Sequence, residues 1–196
     1  MTQPSGHIVR VDELPTAFPT QLHSSEFWSA LGRAVGTFGF LEETLGKAIY
    51  SFTATRLYEQ SEIEKAYENW LPTLQRALSD QLGSLIETYA KVVRDHGGAN
   101  IDDFSGLIAD LKDTTILRNV ICHGSWKAPD SRGRSFPLFF NRKNEKFDTP
   151  IDVVYLVSLQ QRTARLIYAV INSVTHMGWS FPGSNGPGQP IMRTDH

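Results

Sequence analysis

The chain has 196 residues, 40% of them hydrophobic and 20% charged, with a formal net charge of −2. That is enough apolar material for one well-buried core and too little chain for two, and the near-neutral balance gives no global argument for nucleic-acid binding. A single cysteine, Cys122, excludes an internal disulfide; no signal peptide is expected from Met1 to Gly6, and no apolar stretch approaches the roughly 18 to 20 residues of a membrane span, so a cytoplasmic protein without membrane partners is the expectation.

Residues 1–23 contain Pro4, Pro15 and Pro19 with little periodicity and are expected to form an extended arm, lying on the body or frayed from it. His7 and His23 within it have no metal-ligand spacing around them and read as solvated loop histidines. From Ser24 or Ser25, either a suitable N-cap, apolar residues recur at Phe27, Trp28, Leu31, Val35, Phe38, Leu41, Leu45, Ile49 and Phe52, which is helical spacing with one buried stripe. Gly32, Gly36, Gly39 and Gly46 interrupt this helix at up to about 1 kcal/mol each relative to alanine. They point to close approach of another helix, within the subunit or across a dimer axis. Glu42 and Glu43 lie on the same helix, where one of them neutralises an inward-facing cation or both stay solvated.

Ser61 and Glu64 are spaced as a capping box. Behind them Ile63, Tyr67, Trp70, Leu74, Leu78, Leu82, Leu85, Tyr89 and Val92 keep a three-to-four-residue step, and their aromatic rings are expected in the core. The pattern crosses Pro72, which should kink or divide the helix, and stops at His96-Gly97-Gly98. A third main helix is expected from near Asn100 to about Cys122, with Asp102 and Asp103 complementing its positive end. Phe104, Leu107 and Leu111 define its buried face, and the same step continues to Thr114 and Arg118. Arg118 therefore points inward and must meet a carboxylate or line a wet cleft.

Residues 125–147 change character: Pro129, Asp130, Gly133 and Pro137 surround short apolar runs, which predicts a small β-hairpin. Basic residues outnumber acidic ones eight to three from Lys112 to Lys146, against eleven to eighteen elsewhere. The positive charge is local. Arg132, Arg134, Arg142 and Lys143, together with Trp126, are the candidate RNA-binding residues, the alternative being a loop that is merely basic. Asp148-Thr149-Pro150 is a helix start. Val153, Leu156, Val157, Gln160, Ala164, Ile167, Tyr168, Ile171 and Val174 then predict a last helix ending near Met177, followed by a mobile Gly/Pro-rich tail over 178–196. The fold expected is mainly α: an up-and-down bundle of four to five helices over 24–177, with the hairpin inserted before the last helix.

The chemistry concentrates between Leu117 and Trp126, where Arg118, Asn119 and His123 close a helix. A guanidinium forks onto phosphate oxygens, an imidazole exchanges protons near neutral pH, and an amide orients either partner. Asn119 and His123 share a helix face, whereas Arg118 and His123 lie about 140° apart on an ideal helix. Their convergence is expected to need unwinding at the helix end, or a second copy facing the first across a twofold axis.

Arg118-Asn119-x-x-x-His123 resembles the R-(polar)-x-x-x-H pattern of HEPN domains, all-helical modules of which many are metal-independent endoribonucleases in toxin, antiviral and RNA-processing systems. The resemblance covers about residues 24–177, and its specific part is these few residues. HEPN toxins silenced by nucleotidyl transfer carry a tyrosine two positions after the histidine. Ser125 stands there in this chain, so that control is not carried over. The resemblance implies RNA cleavage by 2′-hydroxyl attack, giving a 2′,3′-cyclic phosphate without metal or cofactor. It further implies a homodimer with a composite active site and a toxin or defence role with an antitoxin or other regulatory partner.

In that reading His123 is the general base or acid, a helix C-terminus suiting the acid role. Arg118 stabilises the charge of the phosphorane, Asn119 orients the histidine or the phosphate, and Thr114, Glu42, Glu43 and Ser125 support them. The sequence contains no P-loop, no Cys/His metal cluster and no serine nucleophile elbow. Two alternatives keep the fold and drop the activity: a non-catalytic HEPN-like module binding nucleotide or RNA, and a helical protein-interaction domain with a satisfied polar network. Such a network would bury His123 against carbonyls, whereas an enzyme exposes it beside Arg118.

Overall fold

The computed structural model describes Gly6, Ile8, residues 10–54, Glu64, Lys65, Glu68, Pro72, Gln75, residues 81–99 and residues 101–184. His7, Ser61, Ile63, Tyr67, Trp70, Leu74, Leu78, Asn100 and the tail from Asn185 onward lie outside them. Among the described residues the helices are α1 (Ser25–Ala54), α2 (Leu82–Asp95), α3 (Phe104–His123) and α4 (Val153–Thr175). Ser24 caps α1, its hydroxyl accepting the Phe27 N–H at 3.2 Å. Phe27, Leu31, Phe38, Leu41, Leu45, Ile49 and Phe52 are all buried, on the expected stripe. Ala34 takes the place predicted for Val35, which is exposed.

α1 packs chiefly along α4 and secondarily against α2, while α3 closes the bundle against α2 and touches α1 and α4. Gly32, Gly36 and Gly39 have nothing within 4 Å of a would-be Cβ, so the close helix approach expected of these three is not made among the described residues. No helix among the described residues is long and apolar enough to cross a membrane.

Two helix starts fall later than the pattern suggested, each because a carboxylate caps further on. Asp103 adopts a left-handed conformation and accepts from Gly106 N, which delays α3 to Phe104. A side chain at Gly106 would collide with that carboxylate. Asp152, not Asp148, caps α4 through Tyr155 N at 2.7 Å. Ile151 is held extended by a reciprocal pair of bonds with Ser135, at 2.9 and 2.8 Å, so the helix cannot begin before it.

The expected β-hairpin at 125–147 is not formed. The described residues there make only isolated antiparallel bridges, Ser125 with Leu138, Ser135 with Ile151 and Phe140 with Lys146. Pro137, between two of them, has no N–H to continue a ladder. Both ends of the described chain contact the helical body. His23 is half-buried, stacks on Phe27 at 4.2 Å and donates from Nε2 to Lys127 O at 2.9 Å; Trp28 donates to Thr20 O at 2.8 Å. Past the turn at Gly178, Phe181 is buried and Trp179 packs on Phe52 and His96, so the body extends past residue 177.

Tyr89 of α2 is fully buried. Its hydroxyl donates to Ser173 Oγ of α4 at 2.6 Å, and Ser173 donates on to Val170 O at 2.7 Å. Burial pushes the Tyr89 pKa up to about 12, the Ser173 bond offsetting part of the rise. A phenol whose folded pKa exceeds its unfolded value contributes stability that is intact below the unfolded pKa and is lost as pH rises toward the folded one. Between pH 10 and about 12, urea melts should therefore show wild type losing up to about 2 to 3 kcal/mol more than Tyr89→Phe. Parallel alkaline limbs would mean the hydroxyl does not resist ionisation in the fold.

Candidate active site

The buried face of α3 runs through Ile108, Leu111 and Thr114 and then reaches Arg118, whose side chain is 22% exposed. An inward cation needs a counterion, and Glu42 of α1, 26% exposed, provides it. One oxygen, Glu42 Oε1, accepts from Arg118 Nε at 3.2 Å and lies 3.1 Å from Nη2. Glu43 instead pairs with Lys47 at 2.7 Å, one turn along its own helix.

The third nitrogen, Arg118 Nη1, turns toward the helix end, 3.5 Å from Asn119 Oδ1 and 3.4 Å from His123 Nε2. Both distances are at the outer limit of hydrogen bonding, so Glu42 is the firm partner and the other two contacts are loose. α3 stays helical through His123. Arg118 and His123 nonetheless approach each other within one subunit, the flexible arginine side chain spanning the angular gap. A guanidinium only donates, so in this contact the His123 Nε2 is the accepting atom. His123 is exposed.

Of the other expected site residues, Thr114 is buried with its hydroxyl spent on Asp110 O at 2.8 Å. Ser125 is exposed and pairs through its backbone with Leu138 at 3.1 and 2.8 Å. Neither contacts Arg118. Trp126 is half-buried and meets Phe27 edge-on at 5.1 Å, so its ring packs on the body. Arg134 is clamped by Asp130, which accepts from its Nε and Nη2 at 2.9 and 2.8 Å and from the backbone N–H groups of Arg132 and Arg134. The Arg134 hydrogen bonds hold the Asp130 carboxyl down to about 2. This clamp is intact at neutral pH and is lost as pH falls through that value. Arg132, Arg142 and Lys143 are exposed.

Cys122, unmentioned in the mechanism, is a neighbour of the site. Partial desolvation raises its thiol pKa, Arg118 opposing the rise and Glu42 adding to it. Among the described residues no group of three His, Cys, Asp or Glu gathers closely enough to hold a metal ion. Gly124, directly after His123, has a steric reason: a Cβ there would lie 2.5 Å from Val120 O and 3.0 Å from Pro137 Cβ. The glycine lets the following loop fold back onto the helix end.

Comparison with protein-family models, curated proteins and solved structures returns no match. The chemistry of the site thus rests on its own geometry.

Two measurements check that geometry. Gly124→Ala should destabilise the protein by about 1 to 3 kcal/mol, the cost of overpacking, read from denaturant melts; a neutral result would remove the steric role. A double-mutant cycle on Arg118→Ala and Glu42→Ala should give a coupling of about 1 kcal/mol. Simple additivity would mean the pair contributes nothing.

Proposed function

We propose that this protein is a metal-independent endoribonuclease whose working residues are Arg118, His123 and Asn119. The observation that carries the reading is the exposed His123 imidazole 3.4 Å from Arg118 Nη1, a proton acceptor beside a fixed cation at the protein surface. A purely structural network would enclose the imidazole among carbonyls, and His123 is instead open to solvent. In the proposed reaction the substrate phosphate takes the place of the imidazole at Arg118 Nη1, which frees the His123 Nε2 lone pair; the ribose 2′-hydroxyl gives its proton to that nitrogen and its oxygen bonds the adjacent phosphorus. The bond from phosphorus to the 5′-oxygen breaks, and that oxygen takes up a proton, leaving a 2′,3′-cyclic phosphate and a 5′-hydroxyl. Arg118 Nη1 neutralises charge on the phosphorane oxygens, with Glu42 holding the guanidinium in plane and Asn119 orienting the phosphate or the ring. The homodimeric composite site and the toxin or defence setting belong to the same proposal through the HEPN resemblance.

A second reading has one specific observation in its favour. Glu42 occupies both Nε and Nη2 of Arg118, which leaves one amino group for a phosphate and suits a module that binds RNA or nucleotide without cutting it.

Purified protein should cleave RNA in the presence of EDTA and leave 2′,3′-cyclic phosphate ends. His123→Ala and Arg118→Ala should each abolish cleavage. The first should leave the melt nearly unchanged, and the second should lower it by about 2 to 4 °C through loss of the Glu42 pair. Cleavage that survives in either variant overturns the assigned roles, and a requirement for Mg²⁺ overturns the mechanism. RNA binding without cleavage by the wild type selects the second reading.

A further inference from the structure

From Ser135 to Phe140 burial alternates with the period of an extended chain. Ser135 and Pro137 are buried and Phe139 packs on the core, while Phe136, Leu138 and Phe140 are 47%, 41% and 50% exposed. Three large apolar side chains thus stand in a row on the outer face, alternate ones about 6.6 Å apart along the segment. Directly paired residues of an antiparallel bridge put their side chains on the same face. Leu138 is paired with Ser125, two residues beyond His123, and Phe140 with Lys146. The row therefore has Ser125, two residues beyond His123, beside its middle and a cation beside its Phe140 end.

Around the row three exposed cations, Arg142, Lys143 and Lys146, outnumber two exposed carboxylates, Glu145 and Asp148. Glu145 is held by Asn141 Nδ2 at 2.6 Å and Asp130 by Arg134. Arg142, Lys143 and Lys146 are exposed and make no ion pair among the described residues. Aromatic faces flanked by unpaired cations are what unpaired nucleic-acid bases bind: the rings stack and the cations take the phosphates. A duplex offers phosphates but keeps its base faces stacked internally, so it can use only half of this surface.

We infer that the outer face of residues 135–140 is a platform for unpaired RNA bases, with Phe136 and Phe140 stacking on them and Arg142, Lys143 and Lys146 holding the adjoining phosphates. The platform feeds a single strand to Arg118 and His123, and in that respect it rests on the ribonuclease reading of the site. It makes single-stranded RNA the substrate class, and it assigns the stacking role to residues other than Trp126.

The test uses the full chain and a fluorescent 2′-O-methyl RNA strand of mixed sequence, which lacks the nucleophile and is not consumed, free or annealed to its complement. The free strand should bind at least tenfold more tightly than the duplex. Phe136→Ala and Phe140→Ala should each weaken free-strand binding about five- to a hundredfold and leave duplex binding and the melt unchanged. Phe140→Leu should weaken it as well, because the apolar area stays and the π face goes, whereas Phe140→Tyr should not. Equal affinity for strand and duplex, or wild-type affinity in the Leu variant, overturns the inference. So does a dimer, seen by sedimentation, that the Phe→Ala variants dissociate, since the row would then be a protein contact. Wild-type cleavage of unmodified RNA that is indifferent to both phenylalanines sinks the platform alone. Ring-dependent binding by a wild type that never cleaves upholds the platform and sinks the nuclease.

Discussion

The organisation of this protein turns on one ion pair between two helices far apart in sequence. The helical step of α3 carries its buried face straight into Arg118, and an inward-facing guanidinium is disfavoured unless it is paired. Glu42, on the neighbouring α1, meets that need: its Oε1 accepts from Nε and lies 3.1 Å from Nη2. The direction of the interaction matters as much as its energy. By occupying the Nε edge it fixes the plane of the guanidinium and turns Nη1 outward, where Asn119 and His123 wait. A lysine could match the charge but has no second edge to present.

Next to this pair the chain solves a packing problem with very few residues. Gly124 permits Pro137 to lie against the end of α3, Ser125 and Leu138 exchange both backbone bonds, and Ser135 does the same with Ile151. These links fasten the loop to the C-terminus of one helix and the N-terminus of the next. The buried sides of Ser135 and Pro137 then oblige Phe136, Leu138 and Phe140 to face outward. The exposed row is thus a consequence of how the loop is anchored, and its position relative to His123 follows from the same two bridges.

Much of the bundle was legible because α1, α2 and α4 repeat apolar residues at the helical step, and tertiary packing enforces what periodicity suggests. What misled was local chemistry with more than one candidate. Asp148-Thr149-Pro150 and Asp152 both look like helix starts, and only the Ser135–Ile151 pairing, distant in sequence, decides between them. Pro137 was counted as a turn signal for a hairpin when its missing N–H is what prevents a ladder. Of Glu42 and Glu43, adjacent on α1, the one facing α3 depends on helix rotation that sequence gives only within a residue or so. His23 carries no spacing signal at all, since its partner is the carbonyl of Lys127. The Arg118–Asn119–His123 set was visible, while its closure within one chain was not. An angular argument on an ideal helix ignores the reach of an arginine side chain.

That closure shifts the case for a dimer from geometry to chemistry. A second copy is not needed to bring a guanidinium to an imidazole, because one subunit already does so. The proposed transesterification, however, takes a proton from the 2′-oxygen and delivers one to the 5′-oxygen, two sites on different sides of the phosphorus. A single imidazole can serve the first site and cannot occupy the second at the same moment. The second proton must come from water or from another His123. A composite site would supply it from an identical helix end, and the pairing of one acid and one base would then follow from twofold symmetry. The composite site is what the HEPN resemblance implies, and the stoichiometry of proton transfer gives a second His123 a role there that water would otherwise fill.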